Sequence, residues 1–555
     1  MNPAIVFEPD GYLLTGPKLM GRQSAGAGFL RAAVQGRGDQ PVRAFTPSAK
    51  SAEVFRSAVA DIDPAAATEW IAGHRLDLLA ATGLLYRPDQ LLGPMARQRL
   101  RAGPAAYSLC GVTHTLATAG TLDAIAKILV EPVMPWDALI CTSKVALAVI
   151  DAVLDREEEH QRWRTRQDAV RDRPLLPVIP LGVHTDDFAF ADEERQGSRT
   201  ALGLGDTDVA VLFAGRLSVA GKAHPYPMLR ALQDVARDTG KSIVLLLAGQ
   251  TFNAAIRGVF ESALATFCPD VRPVFVDGKD FAAYRGAWAA ADIFISLADS
   301  IQETFGLTPL EAMAAGLPAL VSDWNGYKDT VRDGVDGFRI PTWAPAPGAG
   351  DVVTRYFEAQ PNGYDDYLYR SNTAVAVDMG ELRARLRDLV LDEALRRRMG
   401  AAGRARARST FDWRVIFRSY QSLWNVQTEL RRRAAADPAT QAWLSRAPAS
   451  SADHMGPFDT FASYPTRHVA AATIVSRAPE ATPEAYRALI ADPLLSLWRA
   501  SPELTDRVLA ALEAGPLTVE TLAAATGVTI PQMTEVAARL AKIDLLILAT
   551  GPSPV

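Results

Sequence analysis

The sequence predicts an α/β protein with two parallel sheets, followed by a smaller, mainly helical module. Three observations lead there. Short apolar runs alternate with helical stretches over most of the chain, the pattern of strand–helix–strand units. The alternation falls into two blocks, before and after about residue 185. Residues 242–248 (SIVLLLA) are continuously apolar, as a strand buried on both faces must be.

At 555 residues, with 48% hydrophobic and 22% charged side chains, the chain suits about three globular domains rather than a disordered or fibrous protein. A net charge of -5 gives no reason to expect nucleic-acid binding. Three arginine runs stand out: Arg97, Arg99 and Arg101; Arg396 to Arg398 with Arg404, Arg406 and Arg408; and Arg431 to Arg433. They read as solvated helix faces, with contact to an anionic membrane or phosphorylated acceptor as the sharper alternative. The three cysteines, Cys110, Cys141 and Cys268, are far apart, so neither disulfides nor a metal site is expected. The N-terminus lacks a basic segment followed by an apolar run, and no apolar run is long enough to cross a bilayer. A cytoplasmic location, at most peripheral to the inner face of the membrane, is expected.

In the first block, 4–7 reads as a strand and 15–28 (TGPKLMGRQSAGAG) as a glycine-containing loop before a helix at 29–35. Residues 105–112 and 136–142 read as strands, 143–154 as a helix starting from a serine cap, and the segment after 178–182 as a linker. In the second block, strands at 209–214, 242–248, 274–276, 293–297 and 318–322 alternate with helices at 227–238, 280–290 and 308–315. Residues 344–372 have no clean period and read as an irregular insertion. Helices resume at 379–398 and 412–433, and 434–457 reads as a linker. The end of the chain shows helices at 504–512, 519–525 and 531–542 and a strand beginning at 545–548, an arrangement like a winged helix. Residues 501–555 carry three basic and six acidic side chains. That balance favours packing, self-association or partner binding over DNA contact. Asp61 and Asp63 form an Asp-x-Asp pattern that reads as a helix-start cap, and no metal is expected.

Residues 299–338 (DSIQETFGLTPLEAMAAGLPALVSDWNGYKDTVRDGVDGF) carry the most chemistry. Glu303 and Glu311 bracket a turn into a helix, with Pro309 in its first turn. Such a helix start offers free N–H groups and partial positive charge to a diphosphate, and Gly306 lets the backbone come close. Glu303 can reach sugar hydroxyls and Glu311 ribose hydroxyls, because each carboxylate oxygen accepts from O–H groups.

This segment resembles the E-x7-E motif of the retaining family 4 glycosyltransferases, which have the GT-B fold: two Rossmann-like domains facing each other across a cleft. Phe305-Gly306-Leu307, Leu310 to Met313, Gly316-Leu317-Pro318 and Val335 to Phe338 carry the resemblance further. It covers roughly residues 1–430 and is thinnest in the first domain. It implies an acceptor-side domain at 1–184, a nucleotide-sugar-binding domain at 185–395, helices crossing back at 396–435, a linker and helical extension at 436–500, and the winged-helix-like module at 501–555. Arg216 and Lys222, after a strand, look like the family's cation pair, although Ala220-Gly221 lengthens their spacing. The implied catalytic set is Glu303, Arg216, Lys222 and His114. The implied donor contacts are Glu311, Phe305, Gly306, Leu307, Thr308, Asp277, Gly278 and Gly26. His184 stands where the family's linker often has Asp and reads as structural.

The resemblance implies transfer of a sugar from a nucleotide-sugar to an acceptor hydroxyl with retention of configuration, and no cofactor. A UDP-sugar is favoured over a GDP- or ADP-sugar. The acceptor is a glycan, lipid-linked saccharide, protein or small molecule, and the C-terminal module is a candidate for homo-oligomer contacts. A GT-B phosphorylase or epimerase, or a non-catalytic nucleotide-sugar sensor, are the competing readings.

Overall fold

The computed structural model describes residues 2–14, 21–168, 172–219, 221–250, 253–359, 363–495 and 500–550. Residues 15–20 of the expected glycine loop, and Ala220, lie outside them.

The first sheet is formed by β1 (Ala4–Val6), β2 (Val42–Thr46), β3 (Thr68–Ala72), β4 (Leu84–Tyr86), β5 (Ser108–Val112) and β6 (Ala138–Ile140). The second is formed by β7 (Val209–Ala214), β8 (Ile243–Gly249), β9 (Arg272–Asp277), β10 (Ile293–Ser296), β11 (Ala319–Ser322) and β12 (Gly337–Ile340). Their orders are β3-β2-β1-β4-β5-β6 and β12-β11-β10-β7-β8-β9, and every pairing is parallel. Read from the middle, both sheets have the same order, with the topological switch between the first and fourth strand of each set. The protein has the GT-B architecture of two Rossmann-like domains. In the second domain the central strands β7 and β8 are almost wholly buried, which explains the unbroken apolar run at 242–248.

The loops after the strand ends of the two domains meet. Thr304, beyond β10, donates its hydroxyl to the His114 carbonyl beyond β5 at 2.7 Å. Ser143, beyond β6, donates to the Thr304 carbonyl at 3.0 Å. The Lys144 amide donates to Asp329 at 2.7 Å. Phe305, Leu310 and Met313 share one apolar core with Phe29, Tyr86 and Trp413. The chain crosses between domains twice, and the crossings are tied together: the Val183 amide donates to the Phe411 carbonyl, and the Trp413 amide to the Val183 carbonyl. The helix Trp413–Ala436 then packs on the first domain, where Gln427 donates to the carbonyls of Leu109 and Trp136.

Several expectations are corrected. Gly21–Gln35 is one helix, so residues 21–28 are not loop. Gly26 is needed there for close packing: a Cβ on it would lie 1.9 Å from the Gly11 carbonyl oxygen. Residues 344–372 are not irregular, because they hold the helices Asp351–Ala359 and Tyr364–Asn372. These pack on each other through stacked Phe357 and Tyr367 rings and bury little beyond Leu368 and Asn372, so no core-facing period shows. The expected helix at 379–398 is two, Met379–Leu391 and Glu393–Arg406, separated by Asp392, which caps the second. The expected linker at 434–457 contains the helix Pro438–Leu444. Asp63 ends the helix Ala49–Ile62 rather than starting one, and it pairs with Arg37.

The arginine runs are not simply solvated faces. Arg99 is fully buried in a two-pronged ion pair with Asp137. Arg404 and Arg406 donate to the carbonyls of Ala315 and Thr330, and Arg431 to those of Gly83, Ala105 and Ala106. All three cysteines are buried and free.

Residues Asp453–Val555 form a separate compact unit, so the C-terminal module starts well before residue 501. Strand Ile474–Arg477 pairs antiparallel with both Leu517–Thr518 and Leu546–Ala549. The helices Pro502–Ala511, Val519–Thr526 and Ile530–Lys542 bury Val508, Leu522 and Leu540 beneath this sheet. Among the described residues, no helix is long and apolar enough to cross a membrane.

Candidate functional site

The site is built on the C-terminal edge of the second sheet, where Rossmann-like domains bind ligands. Three glycines make the edge compact. A Cβ on Gly249, at the end of β8, would lie 1.8 Å from the Gly215 carbonyl oxygen after β7, and one on Gly278 would lie 3.0 Å from Gly249. The Gly278 amide donates to the Gly249 carbonyl. Asp277, at the end of β9, is exposed, and its carboxylate accepts from the Lys279 amide.

Between β10 and the helix Thr308–Ala315 the chain makes its turn. Gly306 has φ +85, and a Cβ there would lie 2.1 Å from the Tyr327 ring. Tyr327 is fixed in turn by a 2.8 Å hydrogen bond with Ser296. Phe305 is buried and Leu307 packs against the core shared by both domains. Side-chain packing thus holds the turn that leads into the helix Thr308–Ala315. Leu307, the cap residue, makes no side-chain cap hydrogen bond.

Charged groups converge on this turn. Lys222 Nζ is 2.5 Å from Glu303 Oε2. Lys222 also acts electrostatically on Glu311, whose carboxyl burial pushes up to about 7. Glu311 Oε2 is buried without a hydrogen-bond partner, so it offers a ready acceptor, and Tyr284 lies in its field. The Arg216 guanidinium, its pKa lowered by burial, is balanced by Glu303 and Asp365 and donates to Gln302 Oε1 at 3.4 Å. Asp299, also pushed up to about 7 by burial, accepts from the His224 amide at 3.0 Å and so anchors the loop that carries Lys222.

Of the first-domain residues, His114 contributes its carbonyl to Thr304. Its ring Nε2 lies 2.8 Å from the Pro88 carbonyl, and burial lowers its pKa. Arg22 is within electrostatic reach of it. Gly26 belongs to the packing of its helix against Gly11. His184 lies 3.0 Å from the Gly28 carbonyl, a structural place. The structure therefore gathers Arg216, Lys222, Glu303, Gly306, Thr308 and Glu311, with His114 at the junction of the domains. Gln302, Asp299, Tyr364 and Asp365 were not foreseen. Gln302 and Asp299 adjoin the motif, but nothing in the sequence pointed to Tyr364.

Residues 208–353 match the family model for Glycosyl transferases group 1. The match is confined to about a quarter of the chain, spanning the second sheet and the turn after β10. The matched segment contains Arg216, Lys222, Glu303 and Glu311. The chain is 28% identical over 187 residues to a D-inositol 3-phosphate glycosyltransferase of Nocardia farcinica, covering 32% of this chain and 40% of that protein. It is 25% identical over 361 residues to an alpha-maltose-1-phosphate synthase of Mycobacterium tuberculosis, covering 60% of this chain and 84% of that protein. Among solved structures, the Anabaena HepE protein in complex with UDP and glucose aligns with a TM-score of 0.48 at 16% identity, covering 76% of this chain and 99% of that one.

Proposed function

We propose that the protein is a retaining glycosyltransferase that moves a hexosyl unit from a nucleotide-sugar, a UDP-sugar before GDP- or ADP-sugars, to an acceptor hydroxyl. The convergence of Arg216, Lys222, Glu303 and Glu311 on one helix start inside the matched segment supports this reading. Breaking the bond between the anomeric carbon and the diphosphate leaves positive charge on the ring and negative charge on the leaving group. Arg216, Lys222 and the N–H groups at Thr308 neutralise the leaving group, so the chemistry asks for no metal or other cofactor. Glu311 accepts from the ribose hydroxyls. Glu303 binds the sugar and stabilises ring charge, while the acceptor attacks from the face the diphosphate leaves. Gly278 and Asp277 border the base, and His114 stands close to the donor sugar.

The first domain shapes the site for a glycan, lipid-linked saccharide, protein or small-molecule acceptor. We place the enzyme in the cytoplasm. The C-terminal unit is a packing or self-association module and not a DNA reader: on its last helix, Arg539 is paired with Glu535 and the inward face is apolar.

The test is nucleotide release by purified protein from separate UDP-, GDP- and ADP-sugars, with Arg216→Ala in parallel. Slow release from one donor, lost in the variant, supports the reading and names the donor. Equal release by the variant overturns the role of Arg216. Binding of a donor with no turnover across a broad acceptor panel points to a sensor.

A further inference from the structure

The helix Tyr364–Asn372 lies in the segment that reads in the sequence as an irregular insertion, yet its first residue reaches the site. The Tyr364 hydroxyl accepts a hydrogen bond from Gln302 Nε2 at 3.2 Å. The other end of that amide, Oε1, accepts from Arg216 at 3.4 Å. Tyr364 is itself packed in, with burial raising its pKa, and Thr115 of the first domain lies beside its phenol. Asp365, the next residue, contributes to the field that keeps the Arg216 guanidinium charged. The Gly221 turn closes the other side: a Cβ there would lie 3.6 Å from Gln302 Oε1 and 3.7 Å from the Arg216 guanidinium.

An amide has a donor end and an acceptor end, and its neighbours decide which way round it sits. Arg216 can only donate, so it takes Oε1, and the phenol oxygen, accepting from Nε2, pins the amide in that orientation. A neutral acceptor suits a guanidinium that must receive an anion, because it aims the cation without adding a further carboxylate to Glu303 and Asp365, which already act on it. A carboxylate in that place would compete with the incoming diphosphate. Aiming matters, because an arginine free to sample its rotamers loses that freedom when ligand binds, at a cost in affinity.

We propose that Tyr364 is a positioning residue that sets the Gln302 amide, and through it Arg216, for the diphosphate of a nucleoside diphosphate. The relay rests on the donor site described under Proposed function and extends it to a helix outside the motif. Tyr364 touches no reacting atom. Its ring packs near both domains, so Tyr364→Phe preserves the packing and removes only the hydroxyl.

The experiment is calorimetric titration of UDP, GDP and ADP, separately, into wild type, Tyr364→Phe, Gln302→Ala, the double variant and Arg216→Ala, with thermal unfolding of each. For the nucleotide that binds wild type, Tyr364→Phe and Gln302→Ala each weaken Kd by about tenfold, the size of one lost hydrogen bond. The double variant is no weaker than either single one, and the melting temperature of Tyr364→Phe is unchanged. A merely structural tyrosine would not give that non-additivity. Two results overturn the relay while leaving the donor site standing: wild-type affinity in Tyr364→Phe alongside loss in Arg216→Ala, or losses in the two single variants that multiply in the double. If no nucleotide binds wild type, the donor site itself falls and the relay with it.

Discussion

Lys222 sits between the two motif carboxylates, bonded to Glu303 at 2.5 Å and within the field of Glu311. The ion pair has side-chain exposures of only 27% and 11%, so solvent screens it weakly and each partner depends on the other. In the proposed reaction Lys222 faces the leaving diphosphate. Lys222→Ala should therefore lower kcat by about 10²–10³, the usual loss for one preorganised donor, and Lys222→Arg should recover part of it. Steady-state nucleotide release checks this. Unchanged kcat in Lys222→Ala would remove it from the catalytic set.

Glu311 supplies a pH dependence of definite sign. Its folded-state pKa, about 7, lies above the ordinary 4.5 because burial disfavours the carboxylate. Between those values the unfolded chain releases the proton and the folded chain keeps it. The contribution of Glu311 to stability is thus highest at low pH, falls as pH rises from about 4.5 to 7, and is a constant penalty above that. Glu311→Gln should therefore melt higher than wild type at pH 8 and no higher at pH 4. Ribose hydroxyls favour the ionised form, so nucleotide affinity in wild type should rise through pH 7 and lose that rise in the variant. Calorimetry at pH 6 and pH 8 tests the second part.

The second sheet and the motif could be read in the sequence because burial on both faces leaves unbroken apolar runs, and because Thr308-Pro309 and Gly316 punctuate a helix at both ends. The first domain was harder. Its strands β1, β4 and β6 are only three residues long, too short to show a period. The helix from Gly21 was hidden by its glycines, of which Gly26 and Gly28 are there for close contact with Gly11 and Trp413. Tyr364 was invisible for another reason. Its helix buries little beyond Leu368 and Asn372, and its relation to Gln302 exists only in three dimensions.

Gly306 is held by two independent constraints. Its φ of +85 is a conformation that residues with a Cβ rarely adopt, and the Tyr327 ring fills the space where a Cβ would go. Gly306→Ala should cost about 1–3 kcal/mol in stability and move the N–H groups that follow, so kcat should fall by more than the stability loss explains. Trimming the ring in Gly306→Ala/Tyr327→Ala relieves the clash but not the backbone strain, so stability should not return to that of Tyr327→Ala alone. Urea unfolding of the three variants separates the two constraints. If the double variant matches Tyr327→Ala, the ring contact is the whole effect.

Asp412 ties the domain crossings together. Its carboxylate caps the helix Trp413–Ala436 through the Arg414 amide at 2.9 Å, accepts from the Thr185 hydroxyl at 2.5 Å, and pairs with the Arg414 side chain. Those bonds outweigh burial and hold its pKa well below the ordinary 3.8. A depressed carboxyl stabilises the fold fully above its unfolded pKa, and that stability drains away as pH falls toward the folded value. Asp412→Ala removes the cap and strands the Thr185 hydroxyl, so it should cost about 2–3 kcal/mol at pH 7, a cap and a buried hydrogen bond together. Asp412→Asn keeps an acceptor and should cost less. Because the wild-type carboxylate starts to lose its advantage below pH 4, the gap between wild type and Asp412→Asn should narrow from pH 7 to pH 3. Urea midpoints at the two values measure it. A gap that stays constant would mean that Asp412 works through shape alone and that its charge does not hold the crossing.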